Sequence, residues 1–134
     1  MKITRVNPET LYNSVQYGFS HATLQENGRT LHLAGQVAYD PSGVLVGGTD
    51  LGAQTRQALA NLRAVLAAVG AQPSDIVRLR TYVVNHTPDK LGIVLPELRV
   101  FFGDAVPPPN TFLGVAALAR PDFLVEIEAT AAVR

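Results

Sequence analysis

An α+β fold with its helices on one face of a sheet is what this sequence predicts, and three observations predict it. Apolar and polar residues alternate with period two in short runs before residue 40 and after residue 75. Between them, from Asp50 to Val69, the period becomes that of an amphipathic helix. The resulting order is strand pair, helix, strand, helix, strand, strand, which interleaves helices with strands.

The first alternation, Tyr17–Leu24, breaks at Glu26-Asn27-Gly28-Arg29 and resumes at Thr30–Ala34. Asn27-Gly28 between such runs signals a hairpin, because a type I′ turn needs positive φ at both central residues. Asp40-Pro41-Ser42-Gly43 marks the turn that ends the strand region containing Gln36-Val37-Ala38-Tyr39. In the helix, Leu51, Thr55, Ala58, Leu59, Leu62, Val65, Leu66 and Val69 share one face, while Gln54, Gln57, Asn61 and Arg63 fall mostly elsewhere. Thr49 or Asp50 caps its start, and Gly70 supplies the left-handed residue past its end.

Period two returns over Ile76–Val84, with Val77, Leu79, Thr81 and Val83 on one side and Arg78, Arg80 and Tyr82 on the other. A second helix is expected between Pro88 and Phe102, broken at Pro96, where proline suits the first position of the last two turns. Phe101-Phe102 reads as core. Thr111–Val115 and Leu124–Val133 read as closing strands separated by a loop at Arg120-Pro121-Asp122.

Composition narrows the class. The chain has 134 residues, 47% hydrophobic and 16% charged, which suits one packed domain over residues 1–134. Eleven basic residues balance eleven acidic ones, so no nucleic-acid partner held by phosphate neutralisation is expected. Cysteine is absent, which removes disulfides, thiolate metal sites and cysteine nucleophiles. His21, His32 and His86 show no metal-ligand spacing, and no metal or cofactor is expected. The N-terminal MKITRVNPET lacks a signal-peptide core, and no run of about 18 apolar residues exists to cross a bilayer. The expectation is a cytoplasmic domain without a membrane partner.

The second face of the predicted sheet is unusual. It carries Arg78, Arg80 and Tyr82 from one strand and Leu124, Glu126, Glu128 and Thr130 from another, a mixture that suits an interface between copies of the chain. The alternative is a half-exposed monomeric sheet. Glu126 reads either as a base that positions water or as the ion-pair partner of Arg78 or Arg80, with Glu128 the better structural partner. Thr111 reads as a donor to a bound oxygen or as a strand-edge threonine. Gly35 reads as a close approach in a pocket wall or as a bulge.

Five segments together resemble the Rid family (reactive intermediate deaminases, or YjgF-like proteins). They are LHLAGQVAYDPSG at Leu31–Gly43, QTRQALANLRAVLAAVGA at Gln54–Ala71, SDIVRLRTYVVN at Ser74–Asn85, VFFGDAVPPPNT at Val100–Thr111 and LVEIEATAAV at Leu124–Val133. The resemblance implies a chorismate-mutase-like α+β fold: a mixed β-sheet with two helices on one face, assembled as a homotrimer around a central barrel. It also implies three small-molecule pockets between adjacent subunits. The best-studied members hydrolyse 2-imino acids, or their enamine tautomers, to 2-keto acids and ammonia without a cofactor.

Carried over residue by residue, the resemblance makes Glu126 the water-positioning glutamate. The family's pocket aromatic falls on Phe19, and a position often polar in relatives falls on Leu95. The family's carboxylate-binding arginine is missing, because its Pro-x-Arg-Ser/Thr pattern stands here as Pro108-Pro109-Asn110-Thr111. Arginine holds a carboxylate by two charge-assisted hydrogen bonds, whereas asparagine offers a neutral donor. The difference is roughly 1.5–3 kcal/mol, one to two powers of ten in binding. Arg120, in a loop longer than that of the deaminases, is a candidate replacement. Two functions therefore stand side by side: a hydrolase of small imines, enamines or related C–N compounds, and a non-catalytic trimer that binds a small metabolite. Ribonuclease activity is disfavoured by the neutral charge and the lack of a histidine pair.

Overall fold

Helix burial on one side of a mixed sheet organises the computed structural model, which describes residues Met1–Arg134. The strands are β1 (Lys2–Val6), β2 (Ala22–Glu26), β3 (Arg29–Gln36), β4 (Ile76–Val84), β5 (Asn110–Val115) and β6 (Val125–Val133). The helices are α1 (Leu51–Ala67) and α2 (Leu91–Phe102). Strands β3-β6-β4-β5 form a four-stranded sheet, and β1 pairs with β2 as a separate ribbon. β6 runs antiparallel to both neighbours, whereas β4 and β5 are parallel and so need the crossover that α2 supplies.

α1 forms where the periodicity places it. Asp50 accepts a hydrogen bond from the Ala53 N–H at 3.0 Å and is the N-cap. At the other end Gly70 has φ +73°, its N–H donates to the Ala67 carbonyl, and Ala71 N–H donates to Leu66. That pair of bonds is a Schellman closure, which needs a left-handed residue at Gly70. Leu59, Leu62 and Leu66 meet Val94, Leu98 and Phe101 of α2 and Leu79, Val83, Val125 and Ile127 of the sheet in one core cluster. Burial of each such side chain contributes about 1.5–3 kcal/mol.

Four features depart from the sequence expectation. Asn27 and Gly28 do take positive φ, 63° and 85°, yet β2 and β3 do not pair. β2 instead takes β1 as its partner, a strand that the alternation beginning at Tyr17 left out, so the turn is a corner between two sheets. α2 runs through Pro96 without a break. One missing donor in the middle of the helix costs a single bond, and burial of Val94, Leu98, Phe101 and Phe102 outweighs it. In β4 the register slips between Ile76 and Arg78, so that Ile76 rather than Val77 is fully buried.

The fourth departure is Gln54, which the helical pattern left off the core face and which is fully buried. Its amide N–H groups donate to the carbonyls of Gly48 (2.7 Å) and Asp122 (3.0 Å), and its carbonyl accepts from Leu124 N–H (3.0 Å). A buried polar side chain is tolerated where its hydrogen bonds are made. Asn61, two turns further along the same face, donates to the carbonyls of Val37 and Tyr39 and so holds the chain beyond β3. Replacing Gln54 by leucine leaves three backbone groups unpaired, and we expect urea unfolding to show a loss of about 2–4 kcal/mol. An unchanged midpoint would mean that water replaces the amide without cost.

Candidate functional site

The two faces of the sheet separate the candidate residues. On β6, Val125, Ile127, Ala129 and Ala131 are buried under the helices, and Glu126, Glu128 and Thr130 project half-buried on the opposite side. Register places Arg80 opposite Glu128 and Tyr82 opposite Glu126 on that second face. Arg80 pairs with Glu128 at 3.6 Å, and the Tyr82 hydroxyl also donates to Glu128. Glu128 is thus the structural carboxylate of the face.

Glu126 has no hydrogen bond or ion pair within the chain. Its side chain lies against Gly35: a Cβ at position 35 would stand 2.7 Å from Oε2 and 2.8 Å from Cγ and Cδ. The β3–β6 register also shifts between Leu33 and Gln36. Both sequence readings of Gly35, close approach and bulge, therefore describe the same place. The missing side chain opens the space that the carboxylate occupies.

Asn110 begins β5 opposite Leu79 and belongs to the helix-side face. Its Oδ1 accepts a hydrogen bond from the buried Thr81 hydroxyl at 3.2 Å, which satisfies Thr81 and leaves the amide N–H groups of Asn110 without a partner. Thr111 pairs with Arg80 and lies on the second face with Glu126. One strand stands between them, and two residues along β4 separate their partners, so they are on the order of 12 Å apart. Within one chain no small ligand bridges both.

The remaining candidates lie in two further places. Phe19 packs edge-on to Tyr12, ring centroids 6.4 Å apart, and to His21 at 6.0 Å. Leu95 of α2 reaches Gly18, one residue before Phe19, with its Cδ2 3.8 Å from where a Cβ would stand. Arg120 lies in an open cleft of about 850 Å3 with Thr49, Asp122 and Leu124, and its guanidinium has no partner in the chain. The candidate residues do not converge in a single copy.

Two groupings escaped the sequence reading. A cleft of about 570 Å3 is walled by Thr23 of β2, Arg78 of β4, and Pro109 and Thr111 at the entry to β5, with Thr130 beside Arg78. Behind it, Arg5 donates to the Thr23 hydroxyl (2.9 Å) and to the carbonyls of Ile76 (2.9 Å), Ser74 and Val106. Burial lowers the Arg5 pKa from the ordinary arginine value. Alternation gives a strand arginine a face; it says nothing of a partner 71 residues away in sequence.

A family model described as endoribonuclease L-PSP matches residues 12–133. The chain belongs to the Rid family. A crystal structure of a Rid-family protein of unknown function from Yersinia pestis superposes with a TM-score of 0.96 at 56% identity, covering 99% of this chain and 100% of that one. A RutC family protein of Pyrococcus horikoshii is 36% identical over 106 residues, 78% of this chain and 79% of the relative. The mouse 2-iminobutanoate/2-iminopropanoate deaminase is 36% identical over 104 residues, 77% of this chain and 73% of the enzyme. These likenesses agree with the Rid-type fold expected from the five segments, a mixed α+β structure with two helices. No helix is long and apolar enough to cross a membrane.

The Tyr82–Glu128 contact gives this Rid-family face a measurable signature. The hydrogen bond to the Glu128 carboxylate, then desolvation, raise the Tyr82 pKa above the ordinary value of 10.0. The neutral phenol is therefore the form favoured by folding. Its contribution is complete below the unfolded-state value and is lost as pH rises through the higher folded value. In a titration of phenolate absorbance, one of the four tyrosines should ionise late, and Glu128→Ala should bring it back among the others. Superimposable wild-type and Glu128→Ala curves would refute the assignment.

Proposed function

We propose that this Rid-family chain acts as a homotrimer whose pockets, formed between adjacent copies, hydrolyse a small imine, enamine or related C–N compound, with Glu126 positioning the water. The observation that supports it most directly is the Glu126 carboxylate lying over Gly35 with no partner in its own chain, while Glu128 takes Arg80 and Tyr82. A half-buried carboxylate kept out of the ion-pair network is available to accept a proton. Separation of Glu126, Phe19, Leu95 and Asn110 within one chain favours a second copy as the missing wall.

The chemistry balances without a cofactor. Water attacks the carbon of the protonated imine, Glu126 accepts the proton that water releases, and the nitrogen takes the C=N electron pair and becomes an amine on a tetrahedral carbon. Glu126 then gives that proton to the nitrogen, and collapse to C=O expels ammonia while the hydroxyl proton returns to Glu126 and from there to solvent. Thr111, on the same face as Glu126, offers a neutral hydroxyl donor for oxygen, while Asn110 on the helix-side face keeps its amide N–H groups unpartnered.

A second reading, a trimer that binds a metabolite without turnover, is favoured by one observation. The asparagine at the family's arginine position is neutral and already accepts a bond from Thr81. Generating 2-aminoacrylate with a pyridoxal-phosphate enzyme and following keto-acid release separates the two. The hydrolase reading expects added protein to accelerate release, and Glu126→Gln to lose about 10²–10⁴ of the effect. Gly35→Ala should fold and lose activity with it, because a Cβ there displaces the carboxylate. No acceleration by the wild type or by Asn110→Arg would leave the binding reading. Light scattering should give three chains per particle; a lone chain at micromolar concentration would remove the pocket.

A further inference from the structure

We propose that the cleft between β2, the start of β4 and the start of β5 is an oxyanion site. There Arg78 supplies the cation, and the ligand is a small metabolite bearing a carboxylate or phosphate group. The proposal rests on the small-molecule reading above and names the charged group that its ligand carries.

The lining has the chemistry of an anion site. Arg78 is exposed and has no carboxylate partner in the chain, because Glu128 is taken by Arg80 and Tyr82. Thr111 and Thr130 bring hydroxyls with no other partner, and Thr23, whose oxygen accepts from Arg5, keeps its own proton to donate. His21 and Gln25 complete the polar wall, and no acidic residue lines the cleft. A guanidinium with converging hydroxyls binds a tetrahedral or planar oxyanion by charge-assisted hydrogen bonds.

The walls are held in place before any ligand arrives. The bulge at Val77 re-aims Arg78, setting it opposite Thr130 across the β4–β6 pair. Arg5 joins all three walls from behind, through Thr23 on β2, Ile76 at the start of β4 and Val106 ahead of the prolines. Ser20 adds two more ties, donating its hydroxyl proton to Pro107 (2.6 Å) and its N–H to Pro108 (3.1 Å). Such pre-organisation lowers the ordering cost of binding.

The test titrates inorganic phosphate and, separately, acetate into the intact protein, followed by calorimetry and by amide chemical shifts. Saturable binding is expected, with perturbed amides at Arg78, Thr111 and Thr130. The two ligands distinguish a phosphate from a carboxylate preference. Arg78→Gln should weaken the preferred anion ten- to a hundredfold. Arg78→Lys, which keeps a charge without the bidentate fork, should fall between, and circular dichroism confirms that both variants fold. Equal affinity in Arg78→Gln, no saturable binding by the wild type, or loss of binding in Arg120→Gln alone would overturn the proposal. Anion binding without imine hydrolysis upholds this site and removes the hydrolase reading; hydrolysis without anion binding does the reverse.

Discussion

A strand between two antiparallel neighbours has no free edge, and β6 occupies that position here. Its period of two must satisfy a dry layer under the helices on one side and whatever lies beyond the sheet on the other. Valine, isoleucine and alanine meet the first demand. Glutamate, glutamate and threonine on the second side cannot enter a dry layer without partners. The sheet is thus driven to keep one polar face, and Glu126, Thr111 and Arg78 lie on it. A one-residue slip of β6 would exchange the two faces, burying both carboxylates, so the register is strongly specified.

On that face, division of labour between two neighbouring carboxylates matters more than their number. Glu128 is tied to Arg80 across the β4–β6 ladder and receives the Tyr82 proton diagonally, which fixes the strands laterally. A pair so exposed contributes at most about 1 kcal/mol. Its larger effect is to occupy the nearest cation and leave Glu126 unpaired. Gly35 then determines where that carboxylate rests. The paired carboxylate sets geometry and the unpaired one stays free of the ion-pair network.

The sequence disclosed what depends on local periodicity and lost what depends on long-range pairing. α1, its Asp50 cap and its Gly70 closure were legible because each is fixed within a few residues. The alternating faces of β4 and β6 were legible for the same reason, and with them the mixed second face. Gln54 was misplaced because a helical wheel sorts by polarity, while the buried amide answers to loop carbonyls up to 68 residues away. Pro96 was overweighted because propensity counts the lost bond and omits the four buried side chains around it. Arg78 was read as part of a mixed face and as a candidate ion-pair partner of Glu126, since its setting comes from a bulge and from a ribbon that pattern alone did not pair.

Pro107-Pro108-Pro109 leads directly into β5, one of the two edge strands of the four. None of these residues has an amide hydrogen, so the backbone ahead of β5 offers no donors to a passing strand. The unprotected stretch is cut to six residues, and the parallel ladder cannot be lengthened from its beginning by a foreign chain. The rigid run that lines the cleft beside Arg78 thereby also guards this margin of the sheet against fibre-like stacking.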